Sequence, residues 1–262
     1  MKYELNSLIG NITEADCEEV LAQLPDKCVD LVLADPPYGI GAASKQFTRA
    51  NKQTGKSLAP CRDYGHSDWD AATPGANFFS TIKRIGQNQI VWGGNYFAAY
   101  LGNSSCWLVW DKQNGDNLYA DCELAWASFP SAVRRFAYTW HGFIQGNMGA
   151  AKEERYHPTQ KPLPLYMWCI SRYTKPGDLV LDPMSGSGTA ALACHALGRR
   201  FICIEREHQY VEVSRNRLRD AQAQMSLFPN GAKTENCGSA ENSIQQPQYA
   251  SLKAGQRTCG KR

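Results

Sequence analysis

The sequence has no cysteine pair at the C-x-x-C spacing that zinc and redox sites use, although it contains ten cysteines. Single, scattered cysteines indicate reduced thiols, so we expect neither a disulfide framework nor a metal site. No apolar run reaches the roughly 18 residues of a membrane helix, and the first residues lack an apolar signal segment. These absences argue against a membrane or secreted protein and predict a cytoplasmic one.

The sequence also lacks a large excess of charge of one sign, since the formal net charge of the 262 residues is only +3. Any surface for nucleic acid must therefore come from local patches. The longest one is the segment 42–67, which is polar, lacks periodicity and carries one acidic residue, Asp63. Its five basic residues are Lys45, Arg49, Lys52, Lys56 and Arg62. Long loops of this kind are usually functional or disordered, so we expect a loop that contacts phosphates.

The segment Val29 to Gly41 (VDLVLADPPYGIG) combines a strand with a polar corner. Its aliphatic first half is typical of a buried parallel strand. The two prolines after Asp35 remove backbone donors and disfavour helix, so the chain must leave the sheet there. A carboxylate and the Tyr38 ring thus stand at the carboxyl end of a strand, where open α/β sheets bind ligands.

A second strand–turn–helix unit occupies residues 179–205 (LVLDPMSGSGTAALACHALGRRFICIE). Gly186 and Gly188 let a ligand approach the backbone, and the following helix directs its positive N-terminal end at the ligand. Glu205 ends the next strand at the place where an acidic residue takes ribose hydroxyls in dinucleotide folds. The full G-x-G-x-x-G spacing is absent, because Ala191 follows. The unit therefore favours a nucleoside-type cofactor without a pyrophosphate, while helix capping and chain turning remain the alternative explanation.

Other segments are less distinctive. Residues 3–12 suggest a short strand, residues 131–161 suggest irregular structure, and the Gly-, Gln- and Ser-rich residues 230–262 suggest a disordered tail. The remaining pattern is that of one α/β domain.

These residues together resemble the permuted (beta-type) amino-directed DNA methyltransferases, in which the catalytic motif precedes the motif for S-adenosylmethionine. The resemblance covers about residues 5–228. It rests on DPPY at 35–38, WGGNYF at 92–97, HPTQKP at 157–162 and DPMSGSGT at 182–189, in that order. It implies a Rossmann-like methyltransferase fold with a mostly parallel sheet flanked by helices. It also implies a catalytic domain at 1–229, in which the short segment 130–156 reads the target.

The resemblance also assigns residues to the cofactor. Asp16 aligns with the acid that meets the adenine amine, although Ala15 replaces the glycine usual before it. The other implied contacts to S-adenosylmethionine are Thr159, Lys161, Asp182, Pro183, Met184, Gly186, Ser187, Gly188, Thr189 and Glu205.

The expected reaction is attack of an exocyclic amine on the sulfonium methyl. Acceptors aimed at the amine N–H bonds stabilise the positive charge that develops on nitrogen. We assign this role to the Asp35 carboxylate and the Pro36 carbonyl, which Pro37 helps to fix, and we expect Tyr38 to stack on a base extracted from the duplex.

The substrate is less closely defined than the chemistry. The resemblance implies that an aspartate first in the motif favours N6 of adenine in double-stranded DNA. N4 of cytosine, protein glutamine, and a non-catalytic nucleic-acid-binding module remain alternatives. Arg134 and Arg135 are candidates for contacts to base edges or phosphates. The resemblance implies a monomer or a homodimer.

Overall fold

The computed structural model describes residues 2–40, 73–115, 120–141, 144–146, 148 and 152–226. The strands are β1 (Ile12–Glu14), β2 (Val29–Ala34), β3 (Gly86–Trp92), β4 (Cys106–Asp111), β5 (Cys122–Ala127), β6 (Arg134–Ala137), β7 (Trp140–His141), β8 (Ile144–Gln145), β9 (Leu179–Asp182) and β10 (Arg200–Glu205). The helices are α1 (Leu5–Leu8), α2 (Cys17–Leu21), α3 (Ala76–Ile85), α4 (Ala98–Leu101), α5 (Leu163–Tyr173), α6 (Thr189–Leu197) and α7 (His208–Ser226).

Eight of the described strands form one mixed sheet in the order β1-β10-β9-β2-β3-β5-β4-β6. The pairs from β1 to β3 are all parallel, and so is β4 with β6, whereas β5 runs antiparallel to both β3 and β4. The described helices include crossover connections between parallel neighbours, as α6 is between β9 and β10. The sheet is therefore mostly parallel and flanked by helices, which confirms the predicted Rossmann-like fold.

The centre of the sheet contains a topological switch point. Strands β2 and β9 are adjacent, with Val32 paired to Leu181, but their crossovers lead to opposite sides. The chain runs from β2 through α3 to β3, and from β9 through α6 to β10. A crevice opens at the carboxyl ends where such connections diverge. Asp35 follows β2 and Asp182 ends β9, so both predicted motifs reach this crevice.

Apolar side chains cover both faces of the central strands. In β2, Leu31 and Leu33 belong to one core layer with Ile90, whereas Val32 and Ala34 belong to the opposite layer. Because both faces are buried, the strand is aliphatic from Leu31 to Ala34 without polar alternation. This burial makes the central strands recognisable from the sequence, and it fixes the backbone on which Asp35 stands.

Two sequence-based predictions need correction. The strand predicted over residues 3–12 is wrong, since α1 occupies part of it and β1 begins only at Ile12. Leu5, Leu8 and Ile9 recur at a helical spacing and pack against one core layer. The segment 131–161 is also more regular than expected, because it contributes β6 to the sheet edge and contains the two-residue strands β7 and β8.

Some predicted features lie outside the described residues. They are the whole basic loop 42–67, including Lys45, Arg49, Lys52, Lys56 and Arg62, and the tail 230–262. Within the described ranges, the structure contains no helix long and apolar enough to cross a membrane.

Candidate active site

A cavity of about 340 Å³ lies at the carboxyl ends of the central strands. Its wall combines the start of α2, the corner after β2, residues 157–161, the glycine loop after β9 and the end of β10. Eleven sequence-predicted residues line this wall: Asp16, Asp35, Pro37, Thr159, Lys161, Pro183, Met184, Gly186, Ser187, Thr189 and Glu205. His157, from the motif at 157–162, lines it as well. The structure thus brings the two predicted motifs to one cavity of a size that small ligands occupy.

Four predicted residues stand beside the cavity instead of on its wall: Pro36, Tyr38, Asp182 and Gly188. Tyr38 contacts Asp35, Asp182 is buried at the end of β9 just before the glycine loop, and Gly188 is the N-cap of α6.

Asp35 is held by two side chains. Lys161 Nζ lies 2.8 Å from Asp35 Oδ1 and 2.7 Å from Oδ2. The Tyr38 hydroxyl donates to Oδ1 at 2.7 Å. Burial raises the pKa of Asp35 above its ordinary value, and the Lys161 ammonium opposes this rise. The role predicted for Lys161, a contact to the cofactor, is therefore incomplete. Its ammonium also pairs with both oxygens of Asp35, the predicted catalytic carboxylate.

A second carboxylate, Glu123 on β5, also approaches Lys161. Glu123 Oε2 lies 3.2 Å from Lys161 Nζ, and Glu123 Oε1 lies 2.6 Å from Lys112 Nζ. Burial lowers the pKa of Lys161, but Asp35 and Glu123 outweigh that effect, so the pKa lies above its ordinary value and the group stays charged. Sequence reasoning did not identify Glu123. Its only signal is a charged residue in an otherwise apolar strand.

Aromatic rings surround Tyr38. The Tyr96 ring stacks on it with a centroid distance of 5.0 Å and an interplanar angle of 17°, and the edge of Phe97 lies at 6.2 Å. Gly93 has φ +68°, and a Cβ there would overlap the Tyr38 ring, so this position needs glycine. Tyr96 itself is 52% exposed. An exposed ring therefore stacks on Tyr38 where a base was expected.

The loop between β9 and α6 is shaped by two glycines with positive φ, Gly186 at +50° and Gly188 at +78°. Asp182 accepts a hydrogen bond from the Met184 amide at 3.2 Å, and burial raises the pKa of Asp182 to about 8. Ser185 lines the cavity, and its buried hydroxyl has no hydrogen-bond partner among the described residues. Such a group is free to bind a ligand. Sequence reasoning missed Ser185 although the motif contains it.

Two carboxylates frame this loop. Glu205 Oε2 accepts from the Gly186 amide and Oε1 from the Glu207 amide, both at 2.8 Å. A carboxylate has about four acceptor positions, so Glu205 retains capacity for ligand hydroxyls. Asp16 caps α2 by accepting from the Glu18 amide at 2.8 Å, and it faces the same cavity. Both acids therefore serve the fold and remain available to a ligand.

The segment 157–161 is fixed by a ring contact to α7 and by polar contacts to the glycine loop and Glu153. The edge of His157 packs on Tyr210 with ring centroids 4.3 Å apart, and burial lowers the pKa of His157 to about 3, so it is neutral. Gln160 accepts from the Ser187 hydroxyl at 3.0 Å and donates to Glu153 at 2.8 Å. His157 is therefore a neutral, buried group that packs against α7.

The two predicted DNA-contacting arginines of the described region lie on β6, at one edge of the sheet. Arg135 is exposed and lies 3.4 Å from Asp111, and Arg134 is half-buried. Neither lines the cavity.

Comparisons with known proteins agree with this geometry. Residues 29–216 match the model of the DNA methylase family N6_N4_Mtase. The Type II methyltransferase M.HinfI of Haemophilus influenzae is 27% identical over 84% of this chain and 71% of its own length. The Type II methyltransferase M2.MboI of Moraxella bovis is 27% identical over 83% of this chain and 90% of its own.

The crystal structure of TTHA0409 from Thermus thermophilus shares the fold, with a TM-score of 0.50 and 17% identity over 80% of this chain and 94% of that one. The family model spans most of the chain and includes both motifs that meet at the cavity. The chain therefore belongs to the DNA methylase family, the amino-directed, S-adenosylmethionine-dependent methyltransferases that its sequence resembles.

Proposed function

We propose that the protein transfers a methyl group from S-adenosylmethionine to the N6 amine of an adenine extracted from double-stranded DNA. The observation that carries this proposal is that the Asp35 corner and the Gly186 loop line the same cavity. A methyl donor on the loop and an amine at the corner would then be neighbours. The relatives named as Type II methyltransferases support a site-specific enzyme.

The lining fits S-adenosylmethionine. The glycine loop lets a ligand approach its backbone, the Glu205 carboxylate has acceptor capacity for ribose hydroxyls, and Asp16 offers an acceptor for the adenine amine. The partnerless Ser185 hydroxyl adds a polar contact within the same wall. When bound, the cofactor supplies an electrophilic methyl on a positively charged sulfur.

The role of Asp35 and Pro36 is to stabilise charge on the target amine. Displacement forms a bond between nitrogen and the methyl carbon, the methyl–sulfur bond breaks with its electron pair going to sulfur, and the extra proton leaves nitrogen for solvent. Acceptors fixed beside the N–H bonds favour the charged nitrogen without reorganisation. The strand end and the two prolines supply this rigidity.

Tyr38 supplies a stacking surface for the extracted base. In the protein alone the Tyr38 ring is already stacked on Tyr96. A flat ring therefore fits against the face of Tyr38. Stacking of a base on an aromatic ring contributes about 1–3 kcal/mol, which offsets part of the cost of removing the base from the duplex.

Duplex binding is assigned to the basic loop 42–67 and to Arg134 and Arg135, which lie within the short target-reading segment 130–156 of a catalytic domain at 1–229. We infer that this domain acts as a monomer or a homodimer.

The proposal is tested by expressing the protein in a bacterial host that lacks its own DNA methyltransferases and sequencing the host DNA at single-base resolution for modified bases. We expect N6-methyladenine at one recurring sequence. Asp35→Asn, expressed equally and still binding the cofactor, should leave the DNA unmodified. N4-methylcytosine would replace the adenine proposal with the cytosine alternative, and DNA binding without modification would favour the non-catalytic module.

A further inference from the structure

Asp35 is engaged before any substrate arrives. Lys161 contacts both of its oxygens, and Tyr38 donates to one of them. An amine that needs the same oxygens must displace or share these donors. A lysine ammonium on the carboxylate also repels the positive charge that develops on the amine nitrogen during transfer.

Lys161 cannot simply move into water. Its side chain is only 5% exposed, so an ammonium that leaves Asp35 needs another negatively charged partner. Glu123 is the partner within reach, since its Oε2 is already 3.2 Å from Lys161 Nζ. Among the described residues, this buried oxygen has no hydrogen bond of good geometry. Glu123 Oε2 thus already shares an ion pair with Lys161, whose shorter contacts go to the two Asp35 oxygens.

We propose that Glu123 is a positioning residue that receives Lys161 when the target base enters, which frees Asp35 to accept the amine. The inference rests on the proposed function of Asp35. Moving the Lys161 ammonium from Asp35 to Glu123 needs only a rotation of the lysine side chain, because the ammonium already lies between the two carboxylates. Lys112 pairs with the other Glu123 oxygen, Oε1, at 2.6 Å, so the oxygen that receives Lys161 is a different one.

The test compares Glu123→Gln with Lys112→Met. Both substitutions break the ion pair between Lys112 and Glu123, but only the first removes the charge that receives Lys161. Single-turnover methylation of duplex DNA is measured at saturating S-adenosylmethionine, with cofactor affinity measured separately. We expect Glu123→Gln to lower the rate by about 10- to 100-fold, the upper end being the loss that a misplaced catalytic group produces. Its cofactor affinity should not change, and Lys112→Met should stay within a few-fold of the original rate.

Equal losses in the two variants would reduce Glu123 to a structural partner of Lys112 and overturn the inference, as would an unchanged rate in Glu123→Gln. If the unsubstituted protein methylates no DNA, the proposed function fails instead. Should Glu123→Gln not fold, a crystal structure of the unsubstituted protein with a cofactor analogue and target duplex decides the matter. Lys161 is expected on Glu123 there, and a Lys161 still paired to Asp35 would refute the transfer.

Discussion

Replacement of Gly188 by alanine tests the glycine loop most sharply. Gly188 has φ +78°, and a Cβ there would lie 2.7 Å from Ser214 Cβ and 3.2 Å from Ser214 Cα on α7. Left-handed backbone costs a residue with a Cβ about 1–2 kcal/mol. The overlap adds about 1–3 kcal/mol, because backbone cannot rotate aside as a flexible side chain can. Gly188→Ala should therefore lower the free energy of unfolding by about 2–5 kcal/mol.

Gly177 provides the matched control. Its φ is +87°, but a Cβ there would meet nothing within 4 Å. Gly177→Ala should lose only the backbone cost, about 1–2 kcal/mol. The two variants should also differ in cofactor affinity, because the Ser214 hydroxyl donates to the Gly186 carbonyl of the glycine loop at 2.8 Å. A displaced Ser214 shifts the loop, so Gly188→Ala should weaken binding of S-adenosylmethionine and Gly177→Ala should not.

Urea unfolding measures the stability of both variants, and calorimetric titration measures cofactor affinity. Ser214→Gly in the Gly188→Ala background should recover part of the lost stability, since it removes the nearest overlapping atom. Equal stability losses for the two glycine variants, with cofactor affinity unchanged in both, would refute the packing of this loop against α7.

Three further predictions concern charge. Burial raises the pKa of Asp182 from 3.8 to about 8, so the stability that the protonated Asp182 contributes is lost as the pH rises between these values. Asp182→Asn should remove this pH dependence of stability. In urea unfolding at pH 5 and pH 8, the variant should be more stable than the unsubstituted protein at pH 8. Arg217 donates to the Ser187 hydroxyl at 3.1 Å, and Arg217→Met should weaken cofactor binding about tenfold in calorimetric titration, whereas unchanged affinity would remove Arg217 from the loop's support. Neutralising Lys45, Arg49 and Lys52 together should reduce the slope of log affinity for DNA against log salt by up to about 3, and an unchanged slope would exclude phosphate contacts there.

The central strands and the glycine loop could be predicted because their signals are local. Strand β2 is buried on both faces from Leu31 to Ala34, so its sequence is an aliphatic run up to Asp35. The loop after β9 needs positive φ at Gly186 and Gly188, and glycine supplies it. The helix α1 was missed because it is only four residues long, too short for periodicity to identify.

The partners of Asp35 and Tyr38 could not be predicted, because they come from distant parts of the chain. Lys161 follows Asp35 by 126 residues, and its second carboxylate, Glu123, lies on a strand that reaches the site only through the pairing of β5 with β3. Tyr96 reaches Tyr38 from the turn after β3, which pairs in parallel with β2. Sheet order, which no local pattern encodes, therefore determined which charges and rings surround the catalytic motif.

The most direct test of methyl transfer at this cavity is to incubate the purified protein with unmethylated duplex DNA and S-adenosylmethionine carrying an isotopically labelled methyl group. The DNA is then digested, and its nucleosides are identified by mass spectrometry. We expect labelled N6-methyldeoxyadenosine as the product. Unlabelled nucleosides throughout, from protein that binds both DNA and cofactor, would contradict it.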